Sequence, residues 1–210
     1  MINVALLSMF VPTFFLVSVT PGLCMTLAMT LGMSLGVRRT LWMMWGELLG
    51  VALVATAAVL GVAAFLLTFP VLFSMLQIAG AAYLAFVGWQ MWQSRGSMAI
   101  VNQAESSPRS RRGLWLQGFM TAVSNPKGWA FHMALLPPFI DQSLAFWPQL
   151  SVLLLVILIL EFSCLLLYAS GGNVLRMLLS QPKQLQLLNR VTGSLMLLLA
   201  GWLLWSALHP

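Results

Sequence analysis

The sequence predicts an all-α integral membrane protein whose six transmembrane helices form two inverted three-helix repeats, with helices one and four broken at proline. Three observations carry that reading: a composition suited to lipid, a set of residues that recurs in order in the two halves, and basic residues confined to alternate loops. Hydrophobic residues make up 60% of the 210, charged residues only 7%, and the mean hydropathy of +0.95 is far above that of a globular domain. Crossing a bilayer takes roughly 20 apolar residues. Runs of that kind fall at 4–35, 41–67, 71–93, 114–140, 146–174 and 186–208, which leaves no room for a soluble domain.

Pro21, Glu47, Pro70, Gly80, Gly88, Trp89 and Trp92 recur in order as Pro126, Glu161, Pro182, Gly193, Gly201, Trp202 and Trp205, and the last three spacings (8, 1 and 3 residues) are the same in both sets. The chain reads as a duplication, 1–93 and 114–210, joined by a polar, basic segment at 94–113. Each unit has an odd number of crossings, so the second must enter the membrane from the opposite side. Paired, interrupted hydrophobic segments in two halves are the sequence mark of a secondary transporter.

The basic residues orient the segments. Arg38 and Arg39 follow the first, Arg95, Arg109, Arg111 and Arg112 follow the third, and Arg176, Lys183 and Arg190 surround the fifth connection. The positive-inside rule makes those loops cytoplasmic and both termini external in a multi-pass membrane protein. Trp42, Trp89, Trp92 and Trp115 then belong to an inner aromatic belt, and Trp147, Trp202 and Trp205 to an outer one. The net charge of +6 is explained by loops facing anionic lipid, and no nucleic-acid motif is present. The N-terminal run lacks a basic n-region and is too long for a signal h-region, so it is expected to be a retained helix.

Taken in order, the first segment is interrupted at Thr20-Pro21-Gly22 and the fourth at Ser124-Asn125-Pro126-Lys127-Gly128. Proline removes a backbone donor, and an adjacent glycine lets the chain leave helical geometry. The freed groups need partners in hydrocarbon, and the half-helix beyond each break offers N–H groups and a dipole that favour an anion such as a carboxylate. Lys127 lies about thirteen residues from either end of its segment, too deep to reach water easily, so it should face a cavity or a countercharge.

Glu47 in the second segment and Glu161 in the fifth are the countercharges. A charge at the membrane centre costs about 2.5 to 3.5 kcal/mol on insertion scales, so three of them need a reason. Two acids against one base leave a negative charge over, and protonating one carboxylate removes it, which would couple the site to protons. Glu161, near mid-segment, is the favoured coupling residue; Glu47, about six residues into its segment, is expected nearer the hydrated inner end. Thr20, Pro21, Gly22, Glu47, Asn125, Pro126, Lys127 and Glu161 form the expected substrate and ion site. His132 lies beyond the second break, where a proton relay or simple packing would both suit it. No His or Cys grouping has metal-ligand spacing, no P-loop occurs and no nucleophile–base pairing is suggested, so neither a cofactor nor an enzyme activity is expected.

The Thr20-Pro21-Gly22 break, Gly46-Glu47, Gly80 to Leu84, Gly88-Trp89, the Asn125-Pro126-Lys127 break with Leu136-Pro137 behind it, and Leu188-Asn189-Arg190 with Gly193 together resemble the LysE/RhtB family of amino-acid exporters over nearly the whole chain. That resemblance implies an inner-membrane efflux protein for amino acids or related metabolites, driven by the proton gradient, with a homodimer among its assemblies. Two departures stand out: Leu23 lies where family members often carry a second proline, and Glu replaces the frequent Asp at 47 and 161. Two other readings remain. Cys24 beside Pro21 resembles the arrangement in membrane thiol-redox carriers, although the corresponding place after the second break holds Trp129 and the other cysteine, Cys164, is on the fifth segment. A structural, non-transporting membrane subunit would make the midplane charges dispensable.

Overall fold

A computed structural model describes residues 3–68, 70–93, 110–141, 143–172 and 181–208; several side chains within its helices, those of Pro126 and Lys127 among them, lie outside the described set. The described residues contain no strand. They form α1 (Val4–Val19), α2 (Leu23–Leu35), α3 (Val37–Thr68), α4 (Pro70–Gln93), α5 (Arg111–Val123), α6 (Pro126–Leu135), a 3-10 turn (Pro137–Phe139), α7 (Phe146–Ser170) and α8 (Pro182–Leu208). α3 over Val37–Gly61 and α7 over Phe146–Ser170 are long and apolar enough to cross a membrane; α1 and α2 pass together as one span bent by 57°. α4, at 24 residues, and α8, at 27, exceed the length a crossing needs. The linker expected at 94–113 lies outside the described residues up to 109.

Proline shapes these boundaries. Pro70, Pro126 and Pro182 each occupy the first position of a helix, where the missing N–H would have had no partner in any case. α2 ends at Gly36, whose φ of 77° belongs to glycine and whose N–H bonds the Gly32 carbonyl at 3.1 Å. The chain turns directly into α3, so this helix starts at Val37 rather than at 41, and Arg38 and Arg39 sit in its first turn instead of in a loop. Arg111 and Lys183 likewise open α5 and α8. A cation at a helix N-terminus opposes the dipole by about 0.3–1 kcal/mol, less than the cost of carrying it into the membrane, so the water-facing end wins. Arg111 lies over the Trp42 ring at 5.5 Å and Arg190 over Trp92 at 5.3 Å.

α3 packs on α5, α4 on α8, and α7 on both halves of the bent α1–α2 segment. Gly46 and Gly50 of α3 meet Gly118 and Ala122 of α5: a Cβ on Gly46 would land on the Trp115 carbonyl, and one on Gly118 on the Met43 carbonyl. Small residues let backbones touch, the contact that holds helices together where lipid removes the advantage of apolar burial. Gly32 of α2 meets the Ala169 backbone of α7 in the same way, and Gly88 of α4 lies against Gly193 of α8. Two apolar clusters result. One joins Phe10, Phe14, Phe131, Leu135 and Phe139 with α3, α7 and α8; the other joins α2 with Met43, Met44, Leu165 and Tyr168. Trp42, Trp89, Trp92, Trp147 and Trp205 are exposed on the flanks, whereas Trp202 is half-buried against Phe139, ring centroids 6.0 Å apart, and packs with the core rather than facing outward.

Candidate functional site

The two helix breaks meet. α1 ends at Val19, and its last carbonyls are taken up by side chains: Thr20 Oγ1 donates to Leu16 O at 2.7 Å, and the Tyr168 hydroxyl, reaching from α7, donates to Val19 O at 2.8 Å. At the second break the Asn125 N–H turns back to Ala122 O at 3.2 Å, and the Trp129 indole N–H donates to Val123 O at 2.9 Å. An aromatic donor therefore closes each interruption, replacing a helical bond that the break removes. Trp129, the residue in the place of a second redox cysteine, has this structural work.

Between the breaks lies a cavity of about 70 Å³, room for several water molecules or a small polar solute. Thr20, Gly22, Asn125 and Glu161 of the expected site line it, joined by Ser18, Cys24 and His132, with Phe14 and Phe131 as aromatic wall. Pro21 is half-buried at the bend, and the side chains of Pro126 and Lys127 lie outside the described ones. Glu47 stands behind the lining: it interacts with Glu161 and with the Cys24 thiol, and Cys24 in turn meets Asn125.

The burial of the two acids differs from expectation. Glu47 is fully buried, at 0% exposure, with Glu161 and the Cys24 thiol as its polar neighbours. Glu161 is half-buried at the cavity wall. Distance along the segment misplaces Glu47 because depth does not set burial here: α5 lies against this turn of α3, where a Cβ on Gly118 would come 3.0 Å from the Glu47 backbone nitrogen. Glu47 is therefore not the hydrated member of the pair.

The start of α2 adds a second chemistry. Its N-cap, Gly22, has no side chain to cap with, and the first helical bond runs from Thr26 N–H to Gly22 O at 2.9 Å. The N–H groups of Leu23, Cys24 and Met25 consequently lack helical partners, and these three residues also line the cavity. Glu161, with Glu47 behind it, thus shares one small space with an uncapped helix N-terminus. Sequence spacing does not reveal Ser18, one turn before the first break, nor place Cys24 and His132 in the binding set; the sole hint is their nearness to the two prolines. Cys24 and Cys164 are both free thiols. Among the described residues no three His, Cys, Asp or Glu side chains are grouped so as to hold a metal ion.

Relatives bear on this arrangement. The chain is 32% identical over 137 residues to a homoserine/homoserine lactone efflux protein of Salmonella typhimurium, and that match spans 65% of each chain. It is 32% identical over 191 residues to a leucine efflux protein of Enterobacter, covering 88% of each, and 27% identical over 178 residues to an uncharacterized membrane protein of Vibrio cholerae, covering 85% of this chain and 86% of that one. No solved structure matches it. The family model for the LysE type translocators matches residues 15–207, which include both breaks, both carboxylates and the whole cavity lining apart from Phe14, and the chain belongs to that family.

Proposed function

We propose that this protein exports amino acids or related small metabolites across the bacterial inner membrane, by alternating access between two inverted three-helix repeats and in exchange for protons. The observation that carries the reading is the meeting of two broken helices at one cavity, lined by Glu161 with Glu47 behind it and by an uncapped helix start. An amino acid has complementary ends. Its carboxylate suits the first-turn N–H groups of α2, and its ammonium suits Glu161 at the wall, with Asn125 and Thr20 orienting the rest. Glu47 and Glu161 interact, so a proton shared between them relieves their mutual repulsion in the empty site, and its release to the other side completes the antiport cycle.

The inverted arrangement is supported by contacts that exchange between the halves. The first segment, α1 with α2, packs both its halves on α7; its counterpart, α5 with α6, packs both its halves on α3. α3 with α7, and α4 with α8, are pairs that exchange with themselves. Orientation draws support from the Asn3 side chain, which donates to Asp141 at 2.9 Å and joins the start of α1 to the α6–α7 connection at one end. Arg111 over Trp42 joins the basic starts of α3 and α5 at one end also, which the positive-inside rule makes the cytoplasmic one.

The direct test compares metabolites inside and outside bacterial cells with and without the protein by mass spectrometry. An amino acid retained by cells lacking it and released by cells expressing it identifies the substrate. Unchanged amino-acid pools under induction and deletion alike would leave the cavity without the proposed cargo.

A further inference from the structure

Two polar atoms at the α1 and α6 side of the cavity have no partner among the described residues. His132 is 5% exposed; its Nδ1 lies 2.6 Å from the Gly128 carbonyl oxygen, while its Nε2 is buried and unbonded. A carbonyl oxygen only accepts, so Nδ1 carries the ring proton and donates it. No carboxylate acts on the ring, and a buried imidazolium without a counter-ion is unfavourable. Nε2 is therefore a bare acceptor. The Ser18 hydroxyl, also 5% exposed, is the other unbonded atom, and both residues line the cavity. Their surroundings are aromatic: the Phe14 ring lies 5.9 Å from the His132 ring.

We propose that Ser18 and His132 form a specificity subsite that reads a hydroxyl on the side chain of the transported amino acid. This rests on the exporter reading, in which the carboxylate and ammonium are held by the α2 start and the acidic pair, leaving this side of the cavity for the substrate's side chain. A hydroxyl satisfies both atoms at once, donating to Nε2 and accepting from Ser18 Oγ. An aliphatic side chain satisfies neither, and a carboxylate turns its lone pairs on that of Nε2. A buried polar group left unpaired by the wrong ligand lowers binding by about tenfold or more.

Isosteric pairs differing by hydroxyl against methyl test this without altering the protein: serine and 2-aminobutyrate, threonine and valine, homoserine and norvaline. In proteoliposomes loaded with labelled amino acid, the wild-type protein is expected to exchange the hydroxyl member of whichever pair fits about tenfold or more faster than its isostere. His132→Leu brings that ratio close to one, Ser18→Ala lowers it, and His132→Gln, which returns an acceptor near the Nε2 position, restores most of it. Equal exchange of both members by the wild type would overturn the subsite while leaving the exporter reading standing, and the two orphan atoms would then hold only water. Retention of the full ratio by His132→Leu, present in the membrane at wild-type level, would overturn it too. Exchange of none of the six would overturn the subsite, and the comparison of cellular amino-acid pools decides the exporter reading separately.

Discussion

Tyr168→Phe removes one oxygen atom and tests whether the first break is held open by design. The Tyr168 hydroxyl donates to Val19 O at 2.8 Å across 149 residues of sequence, and Tyr168 itself is 2% exposed. In a continuous helix that carbonyl would accept from the N–H of residue 23, but Leu23 already begins α2 beyond the bend, so no backbone donor can replace the tyrosine. A buried carbonyl stripped of its donor costs about 1–3 kcal/mol in soluble proteins. Hydrogen bonds between membrane helices average nearer 0.6 kcal/mol and reach about 1.7. The substitution leaves the ring and its packing intact, so a loss of about 1–2 kcal/mol is expected, equivalent to a fall of roughly 2–8 °C in the melting temperature of a chain this size. Thermal unfolding of purified protein in detergent measures it. Export should fall as well, because the bend positions Thr20, Gly22 and Cys24 at the cavity. Trp129→Phe, which removes the matching donor from Val123 O along with part of the ring, should lower the melting temperature as well. Melting and export both unchanged in Tyr168→Phe would refute the idea that these side chains sustain the breaks.

Four further outcomes are expected. Glu47→Gln and Glu161→Gln should each still swap labelled for unlabelled substrate in proteoliposomes at equal pH yet fail to accumulate it against a gradient; survival of gradient-driven transport in the double variant would defeat carboxylate coupling. Gly118→Val should abolish accumulation of folded protein in the membrane, because even its Cβ meets the Met43 carbonyl, which no side-chain rotation can relieve; normal yield on an immunoblot would contradict the close α3–α5 contact. Single cysteines replacing Ser110 and Ser143 should be labelled from the cytoplasmic and external sides respectively, and labelling from one side would exclude the inverted topology. The Ser143 hydroxyl, the Asn3 amide and the Ser143 N–H hold the Asp141 carboxyl below its ordinary value of 3.8. A lowered carboxyl contributes stability that is present above the unfolded value and lost as pH falls through the folded one. Melting temperature should therefore drop on acidification below about pH 4 by more in the wild type than in Asp141→Asn, and parallel curves would show that this network does not tie α1 to the α6–α7 connection.

Prolines show which parts of the fold could be read from sequence and which could not. Pro12 lies inside α1 without interrupting it, whereas Pro21, followed by Gly22, ends it. Proline beside glycine marks a break; proline alone in a membrane helix does not. The segment boundaries at 71, 146 and 208 fall within a residue of helix ends, because hydropathy changes sharply there, but α3 and α8 begin four residues earlier than their apolar runs, at basic first turns that hydropathy counts as loop. Thr20, Gly22, Asn125 and Glu161 of the candidate site drew notice in the sequence for a physical reason: an acid or a helix break in lipid is costly enough to be conspicuous. Ser18 carries no such mark. A serine is inexpensive in a membrane helix, and nothing in its spacing says that its hydroxyl finds no acceptor on α1. Glu47 was legible as a charge but not as a buried one, since its cover comes from Gly118, seventy-one positions on, a contact that the sequence writes only as one small residue among many.

The glycine seams between helices also bear on how the protein can move. Where Gly46 meets Trp115, where Gly118 meets Met43 and where Gly32 meets Ala169, backbone lies on backbone, with no side chains between the two rods to act as a lubricating layer. Such joints lock like the teeth of a closed zip: sliding by even part of a residue would drive carbonyl groups into the neighbouring chain. α3 with α5, and α2 with α7, are for this reason stiff beams. In the proposed transport cycle, displacement would fall where only side chains touch, around Phe14, Phe131 and His132 and at the bends that Tyr168 and Trp129 close. On that reading the residues that give and the residues around a bound solute are the same few, so the solute would act on the bends directly, without relay through the rest of the bundle.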